Sequence, residues 1–259
     1  MPKEHHFMAD KPYREALGSI MYAQVTTHPD LSYAVSMLSK YSLNPGMPHW
    51  DALTHVLCYI KGMLHFKITY GSKGLTNLAP MGYVDVDYVG DIDTRRLCAS
   101  HVFMQAGEPT AWGLQYQQTV PLSTTEAEYM SLARSAKQIK WMYSGMDEVG
   151  FPQPRPAVLY NDNNSAVILT KNTKHNSHVK HIDIHHHFVQ KCVENGEITV
   201  CYTSSSENLA DIFMEPLGCI THHRACIMLR LCGDSKKLEG DEGDEDTGDT
   251  EHIDPGGVL

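Results

Sequence analysis

The chain has 259 residues, of which 42% are hydrophobic and 20% are charged, and its formal net charge is −10. This length can bury a substantial core, and no apolar run reaches the roughly 18 residues that a membrane span requires. The charge is uneven, because residues 233–259 hold ten acidic residues and two lysines and leave about −2 on the first 232 residues. The net acidity therefore does not exclude a nucleic-acid partner.

The seven cysteines are scattered and include no C-x-x-C pair. This spacing argues against a disulfide scaffold or a zinc ribbon and favours a reducing compartment. The N-terminus from Met1 to Lys11 is polar and does not look like a secretory signal. We therefore expect a cytoplasmic protein, with the nucleus left open and no membrane partner.

The first 70 residues are predicted to be helical. Pro12 suits a first helical turn, and Thr27 with Asp30 three residues later indicates the start of a second helix. Asn44-Pro45-Gly46 ends it. A third helix places apolar residues three and four positions apart: Trp50, Leu53, Val56, Leu57 and Ile60. Residues 71–74, Gly-Ser-Lys-Gly, are predicted to be a linker.

After the linker, the pattern changes to strands separated by turns and then to alternating helices and strands. The predicted strands are Met81–Tyr88, His101–Gln105, Ala111–Tyr116, Ala157–Tyr160 and Ile198–Thr203. The predicted helices are Leu122–Met146, one through Val167–Leu169, Val179–Val193 and Leu209–Leu217. This order predicts an α/β fold in which helices flank a mixed sheet. The tail from Gly233 is expected to be disordered.

Two aspartates lie within the first predicted strand, Asp85 and Asp87, and a period of two places them on one face. Two negative charges on a buried strand are costly unless a cation holds them, and a metal is one answer. A calcium-binding loop that starts at Asp85 would need an oxygen ligand at its fifth position and an acidic residue at its twelfth. These positions hold Val89 and Arg96, so the pattern is not that of a calcium loop. A polymerase palm would need adjacent aspartates, and Val86 separates these two.

Three further acids are candidates for the same site. Glu126 completes a capping box with Ser123, whereas Glu128 does not cap and can face the sheet. Asp162 follows a predicted strand directly, although Asp162 or Asn163 could equally cap the next helix. Asp211 lies near the start of the last predicted helix. Four carboxylates from four elements suit two Mg²⁺ ions, with Mn²⁺ also possible, about 4 Å apart.

A series of motifs in a matching order carries a family resemblance over residues 12–217. The motifs are Tyr13–Tyr22, His28–Val35, His49-Trp50 through Tyr59–Gly62, Asp91–Arg96, Leu122–Met130, Asp162–Ala166, Lys180–Asp183 with His187-Phe188, and Leu209–Phe213 with Pro216-Leu217. On these motifs the chain resembles the C-terminal part of a copia-type retrotransposon Pol polyprotein. The resembling part spans the end of the reverse transcriptase and the RNase H domain.

The resemblance implies an RNase H-like fold with a mixed five-stranded sheet, preceded by a helical remnant of the reverse transcriptase. Its implied boundaries are 1–74 for the remnant, 75–217 for the RNase H-like domain, and 218–259 for a short helix with the acidic tail. It also implies metal-dependent cleavage of the RNA strand of an RNA–DNA hybrid. The matching motifs assign the catalytic and metal-binding roles to Asp85, Glu128, Asp162 and Asp211, and make Asp87 a less favoured ligand. The rest of a reverse transcriptase is an implied partner.

Some positions depart from the family pattern and keep an alternative open. A Lys-Lys-Gln-like turn appears as Leu114–Gln118, and a Thr-Lys-Pro-Leu-like ending appears as Met214–Leu217, so both have lost positive charge. Such losses weaken contacts to phosphates. The remaining candidates for substrate contact are basic: Arg95, Arg96, Lys171, Lys174 and Lys180. The alternatives are a degenerate, inactive fragment that at most binds nucleic acid or protein, and another nuclease or a transposase-like enzyme on the same fold.

A histidine cluster also has metal-like spacing. His181 and His185 are four residues apart, and His186 and His187 follow. Zinc would need a further protein ligand, and no spacing in the sequence supports one. Packing or hydrogen bonding is therefore the favoured role of these histidines.

Overall fold

The computed structural model describes residues 8, 10–70, 79–87, 97–117, 123–171, 183–231 and 233. The predicted linker at 71–74, the start of the predicted helix at 179–182 and the acidic tail after residue 233 lie outside these residues. Within the described ranges, no helix is both long enough and apolar enough to cross a membrane.

Three helices form the N-terminal part of the chain, as the sequence predicts. They are α1 (Tyr13–Thr26), α2 (Ser32–Ser39) and α3 (Met47–Gly62), and a 3₁₀ turn at Pro29–Leu31 precedes α2. Their apolar faces bury a core that includes Leu17, Ile20, Leu31, Val35 and Leu53. The Tyr13 hydroxyl donates a hydrogen bond of 2.8 Å to the Leu38 carbonyl and ties α1 to the end of α2.

Five strands form one sheet in the order β3-β2-β1-β4-β5. They are β1 (Met81–Asp87), β2 (Cys98–Gln105), β3 (Glu108–Tyr116), β4 (Ala157–Asn161) and β5 (Ile198–Tyr202). The pairs β1–β2 and β2–β3 are antiparallel, whereas β1–β4 and β4–β5 are parallel. The predicted fold class, a mixed five-stranded sheet flanked by helices, is confirmed.

One face of the sheet is covered by α4 (Thr124–Glu148), α5 (Asn164–Lys171) and α6 (Asp183–Glu194). The predicted cap of α4 is present, because the Ser123 hydroxyl oxygen accepts a hydrogen bond of 3.1 Å from the Glu126 amide. A Cβ at Gly82 would lie within 3 Å of Leu159 and Phe103, so glycine lets these two core side chains meet across β1.

The opposite face is covered by a 3₁₀ turn at Asp211–Phe213 and by α7 (Cys219–Met228). The predicted helix over Leu209–Leu217 is wrong, since only this short turn forms there. The Asn208 side chain accepts a hydrogen bond from the Ala210 amide at 3.2 Å and favours a turn, and Pro216 cannot continue a helix.

The N-terminal helices pack against this second face. The Trp112 indole nitrogen donates a hydrogen bond of 2.8 Å to the Gln24 carbonyl. The Tyr59 hydroxyl donates to Asp30 Oδ2 at 2.7 Å and lies 3.9 Å from the sulfur of Cys226 on α7. The helical segment therefore forms a layer on the sheet. The boundary between the implied domains stays a prediction.

Candidate active site

Two neighbouring parallel strands bring two of the predicted acids to one edge of the sheet. Val84 on β1 is in register with Asn161 on β4. Asp85, the next residue of β1, still pairs with Ser100 on β2, and Asp162 is the first residue after β4, so the two acids occupy neighbouring positions on adjacent strands. Open α/β sheets bind their ligands at this edge, outside the carboxyl ends of parallel strands.

Glu128 approaches from the first turns of α4 and is only 7% exposed. The Asn161 side-chain amide donates a hydrogen bond of 3.0 Å to Glu128 Oε2 and one of 3.3 Å to the Val84 carbonyl. Burial raises the pKa of Glu128 to about 7, against the lowering effect of the Asn161 hydrogen bond, and the charges of Asp85 and Asp162 raise it further. Glu128 therefore belongs to the same electrostatic environment as both strand-end aspartates.

Asp211 approaches from the other face of the sheet, on the 3₁₀ turn. The Ser100 hydroxyl donates a hydrogen bond of 2.9 Å to the Ala210 carbonyl and fastens this turn to β2. Burial raises the pKa of Asp211 to about 8, and neighbouring carboxylates add to the effect: Asp85, Asp162 and Glu215. The Oδ1 atom of Asp211 is buried and has no hydrogen-bond partner among the described residues.

The structure also decides which residue caps the helix after β4. Asn163 Oδ1 accepts hydrogen bonds from the Ser165 and Ala166 amides at 3.1 and 3.2 Å, so Asn163 is the cap. Asp162 has a different contact, because its Oδ2 accepts a hydrogen bond of 2.7 Å from the Ser205 hydroxyl. Its carboxylate is therefore not used in helix capping.

Asp85 and Asp162 are thus close enough to Glu128 and to Asp211 to raise the pKa of each, which brings the four predicted acids to the same part of the sheet. Among the described residues, no three histidine, cysteine, aspartate or glutamate side chains already form a metal-holding cluster. The donor set nevertheless fits a hard divalent cation, because it consists of carboxylate oxygens and includes the unpartnered Asp211 Oδ1. Their roles as ligands stay a prediction.

Several other predicted residues fall outside the described part of the chain. They are Arg95, Arg96, Lys174, Lys180 and His181, together with the side chains of Lys171 and Asp87. Of the remaining histidine cluster, His186 packs edge to face against Tyr129, with 4.9 Å between ring centroids.

Three polar residues that organise the site were not predicted from the sequence. Asn161 is fully buried and holds Glu128, Ser205 holds Asp162, and Asn208 donates a hydrogen bond of 3.3 Å to the Val84 carbonyl. The one local signal for Asn161 was an amide in an otherwise apolar strand, immediately before an acid. Nothing local marked Ser205 or Asn208, because their partners lie 43 and 124 residues away.

Comparison with known proteins identifies the family. The chain is 36% identical over 205 residues to the retrovirus-related Pol polyprotein from transposon TNT 1-94 of Nicotiana tabacum. It is 37% identical over 206 residues to the corresponding polyprotein from transposon RE2 of Arabidopsis thaliana. These matches cover 79% and 80% of the chain. The chain belongs to the copia-type retrotransposon Pol family.

This copia-type Pol chain spans only 15% and 14% of the length of those two relatives. It is also 37% identical over 135 residues to secreted RxLR effector protein 161 of Plasmopara viticola, a match that covers 52% of the chain and 94% of that protein. No family model matches the chain.

Two solved structures overlap with the copia-type Pol chain to a limited extent. The N-terminal RNase H domain of a Mycobacterium tuberculosis protein, solved as a fusion with maltose-binding protein, is 15% identical, with a TM-score of 0.37. That match covers 58% of this chain and 98% of the solved chain. The prototype foamy virus protease–reverse transcriptase is 13% identical with a TM-score of 0.36, covering 62% and 21%. The strand order, rather than these overlaps, defines the fold.

Proposed function

We propose that this chain is an RNase H-type endonuclease domain that cleaves the RNA strand of an RNA–DNA hybrid. The observation that supports the proposal is the electrostatic influence of Asp85 and Asp162 on both Glu128 and Asp211 near the carboxyl ends of two parallel strands. Glu128 and Asp211 have raised pKa values partly because Asp85 and Asp162 are close. Membership of the Pol family supports a nucleic-acid substrate, and the rest of a reverse transcriptase is a proposed partner.

The same four residues are proposed to hold two Mg²⁺ ions, or Mn²⁺ in their place. When bound, such ions activate a water molecule and stabilise the charge that develops in phosphodiester hydrolysis. The buried, unpartnered oxygen of Asp211 and the uncompensated charge of Glu128 are what such a cation would stabilise.

Neutral side chains orient these carboxylates without adding charge. The amide of Asn161 binds one oxygen of Glu128, and the hydroxyl of Ser205 binds one oxygen of Asp162. The first contact engages Oε2 of Glu128 and the second engages Oδ2 of Asp162, and each restricts the rotation of its carboxylate group. Ser100 holds the turn that carries Asp211. This arrangement preorganises the acids before substrate arrives, which is how an active site avoids reorganisation costs during reaction.

The test is Mg²⁺-dependent cleavage of an end-labelled RNA–DNA hybrid by the full chain, compared with Asp162→Asn. We expect cleavage by the wild-type chain and a loss of at least a hundredfold in the variant. Asp51→Asn, at an exposed position on α3, is the matched control and should cleave normally. Equal activity of Asp162→Asn and wild type would remove Asp162 from the mechanism. Cleavage of duplex DNA instead of the hybrid would indicate another nuclease on this fold.

A non-catalytic fragment is the second candidate. It is motivated by the lost basic residues at Leu114–Gln118 and Met214–Leu217, and by the lack of a closed metal cluster among the described residues. Binding of the hybrid without turnover would support this candidate, and robust Mg²⁺-dependent cleavage would contradict it.

A further inference from the structure

The last helix, α7, presents two different faces. Its inner face packs into the protein through Cys226, which is 1% exposed, and through His222, whose ring centroid lies 5.6 Å from that of Tyr59 on α3. The residues on the other side recur three and four positions apart, so they share one face of the helix. We call this the outer face of α7, and all of its residues are exposed: Ile220, His223, Arg224, Ile227 and Met228.

The outer face of α7 is apolar at both ends and basic in the middle. Ile220 is 78% exposed, Ile227 is 47% exposed and Met228 is 43% exposed. Single exposed apolar side chains are ordinary, whereas several on one face mark a surface that another segment covers. Arg224 stands between them and is also exposed. The face therefore suits a ligand that combines negative charge with a few apolar groups.

The surroundings of this face are also basic. Residues 216–233 and 52–70 contain no aspartate or glutamate, and the two segments meet where Tyr59 contacts His222. Glu108 on β3 interacts electrostatically with Arg230 but is only 4% exposed. The lysine and arginine residues of the two segments are all exposed: Lys61, Lys67, Arg224 and Arg230. A positively charged surface thus exists on a chain whose net charge is −10.

The chain leaves α7 at this same surface. The Leu231 amide donates a hydrogen bond of 2.9 Å to the Cys226 carbonyl, so the backbone turns back onto the end of α7. Gly233 then lies beside the residues that follow α3, because a Cβ on Gly233 would be 2.8 Å from the His65 ring. Residues 239–249 come next and hold seven acidic residues with no lysine or arginine. We call them the acidic run.

The acidic run is close enough in sequence to reach the whole outer face of α7. Asp241 is eight residues beyond Gly233, and an extended chain of eight residues spans up to about 27 Å. The ten residues of α7 form a helix about 15 Å long. Because the run is tethered beside the face, its effective concentration there is of millimolar order. Weak contacts are then sufficient for binding.

We propose that residues 234–259 fold back and bind the outer face of α7. Carboxylates of the acidic run pair with Arg224, and the apolar residues that flank the run, Leu238 and Ile253, cover Ile220 and Ile227. The order apolar–acidic–apolar in the tail thus matches the order apolar–basic–apolar on the helix. The proposal does not depend on the nuclease function, because no residue of the carboxylate site takes part in it.

The first test is oxidation of the full wild-type chain by hydrogen peroxide, with each methionine sulfoxide measured by peptide mass spectrometry. Met228 on the outer face and Met21 on α1 are both 43% exposed, so without a covering segment they should oxidise at similar rates. At low salt we expect Met228 to oxidise about threefold more slowly than Met21, or slower still. At about 1 M salt, where the Debye length is about 3 Å, the two rates should converge. Equal rates at low salt would overturn the proposal.

A variant of the acidic run tests which segment covers Met228. It combines changes that keep the length of the tail and remove charge: Asp241→Asn, Glu242→Gln, Asp244→Asn, Glu245→Gln and Asp246→Asn. Its Met228 should oxidise as fast as Met21, and Arg224→Gln should raise the Met228 rate by about twofold. Lys191→Gln, at an exposed position on α6, is the matched control and should leave the rate unchanged. A wild-type Met228 rate in the variant of the acidic run would contradict the proposal.

Carbodiimide cross-linking tests the contact directly, because it joins a carboxylate to an amine that touches it. Arg224→Lys places an amine in the middle of the outer face and keeps its charge. Carboxylates of the acidic run should cross-link to position 224 about threefold more than to Lys191 on α6, or more strongly still. This yield and the protection of Met228 should not change with protein concentration. Equal cross-linking at the two positions would overturn the proposal, as would protection that grows with concentration and so reveals a second copy as the occupant.

Discussion

Without a bound metal, the buried charge of Glu128 lowers the stability of the folded chain. Replacing Glu128 with the neutral residue glutamine should therefore raise the free energy of unfolding. The side chain is 7% exposed and accepts a hydrogen bond from Asn161 Nδ2 at 3.0 Å. Glu128→Gln keeps the size of the side chain and an oxygen that can accept this hydrogen bond. The variant therefore removes the charge with little change in packing.

The size of the effect follows from the pKa of Glu128, which is raised from 4.5 to about 7 by burial and by Asp85 and Asp162. At about 1.4 kcal/mol per pKa unit, this corresponds to about 3 kcal/mol. An acid with a raised pKa binds more protons in the folded state, so the wild-type chain is relatively stable below about pH 4.5. It loses that stability as the pH rises through about 7. Glu128→Gln has no such loss.

The assay is urea unfolding of both proteins in EDTA at about pH 5 and about pH 8. We expect the stability of Glu128→Gln relative to wild type to rise by about 2 kcal/mol between these two pH values. Glu148→Gln makes the same substitution at an exposed position on the same helix and should show no such rise. A stability difference between Glu128→Gln and wild type that is the same at both pH values would refute the reasoning.

Three further outcomes are expected. Asn161→Ala should lower the free energy of unfolding by about 1–3 kcal/mol in urea titrations, because Glu128 loses a buried donor while the Val84 carbonyl keeps the one from Asn208; a loss below about 0.5 kcal/mol would contradict this role. Millimolar Mg²⁺ should raise the melting temperature of wild type in calorimetry and have little effect on Asp211→Asn; equal shifts would exclude Asp211 as a ligand. Tyr59→Phe should cost about 1–3 kcal/mol in urea unfolding, since a buried carboxylate loses its donor, and wild-type stability would contradict this.

Local sequence signals predicted most of the elements but not the contacts between them. The capping box at Ser123 and the apolar spacing of α3 were sufficient for two helices. The start of β2 was predicted three residues late, because Cys98 is a strand residue through its pairing with Asp87. The helix predicted at Leu209–Leu217 failed because its apolar residues pack against the sheet from a turn. Amphipathic spacing does not distinguish these two cases.

In the candidate site, too, individual acidic residues could be predicted from the sequence, whereas the contacts between them could not. Position at a strand end or on a helix marked Asp85, Glu128 and Asp162 as candidates, whereas Asp211 was assigned only through the matching motifs, since the helix predicted around it does not form. Asn161 could not be recognised as their organiser, because its partner Glu128 is 33 residues away.

Because Trp112 forms a hydrogen bond with Gln24 on α1, its fluorescence can report on the contact between the sheet and the helical layer. The sequence has three tryptophans, and each occupies a different environment. Trp50 lies among the N-terminal helices with Lys11 5.4 Å from its ring, Trp141 on α4 is 70% exposed, and Trp112 joins the sheet to α1. Emission from a variant that retains only Trp112 would follow the release of the helical layer from the sheet. Variants that retain only Trp50 or only Trp141 would show whether the two layers melt together or one after the other.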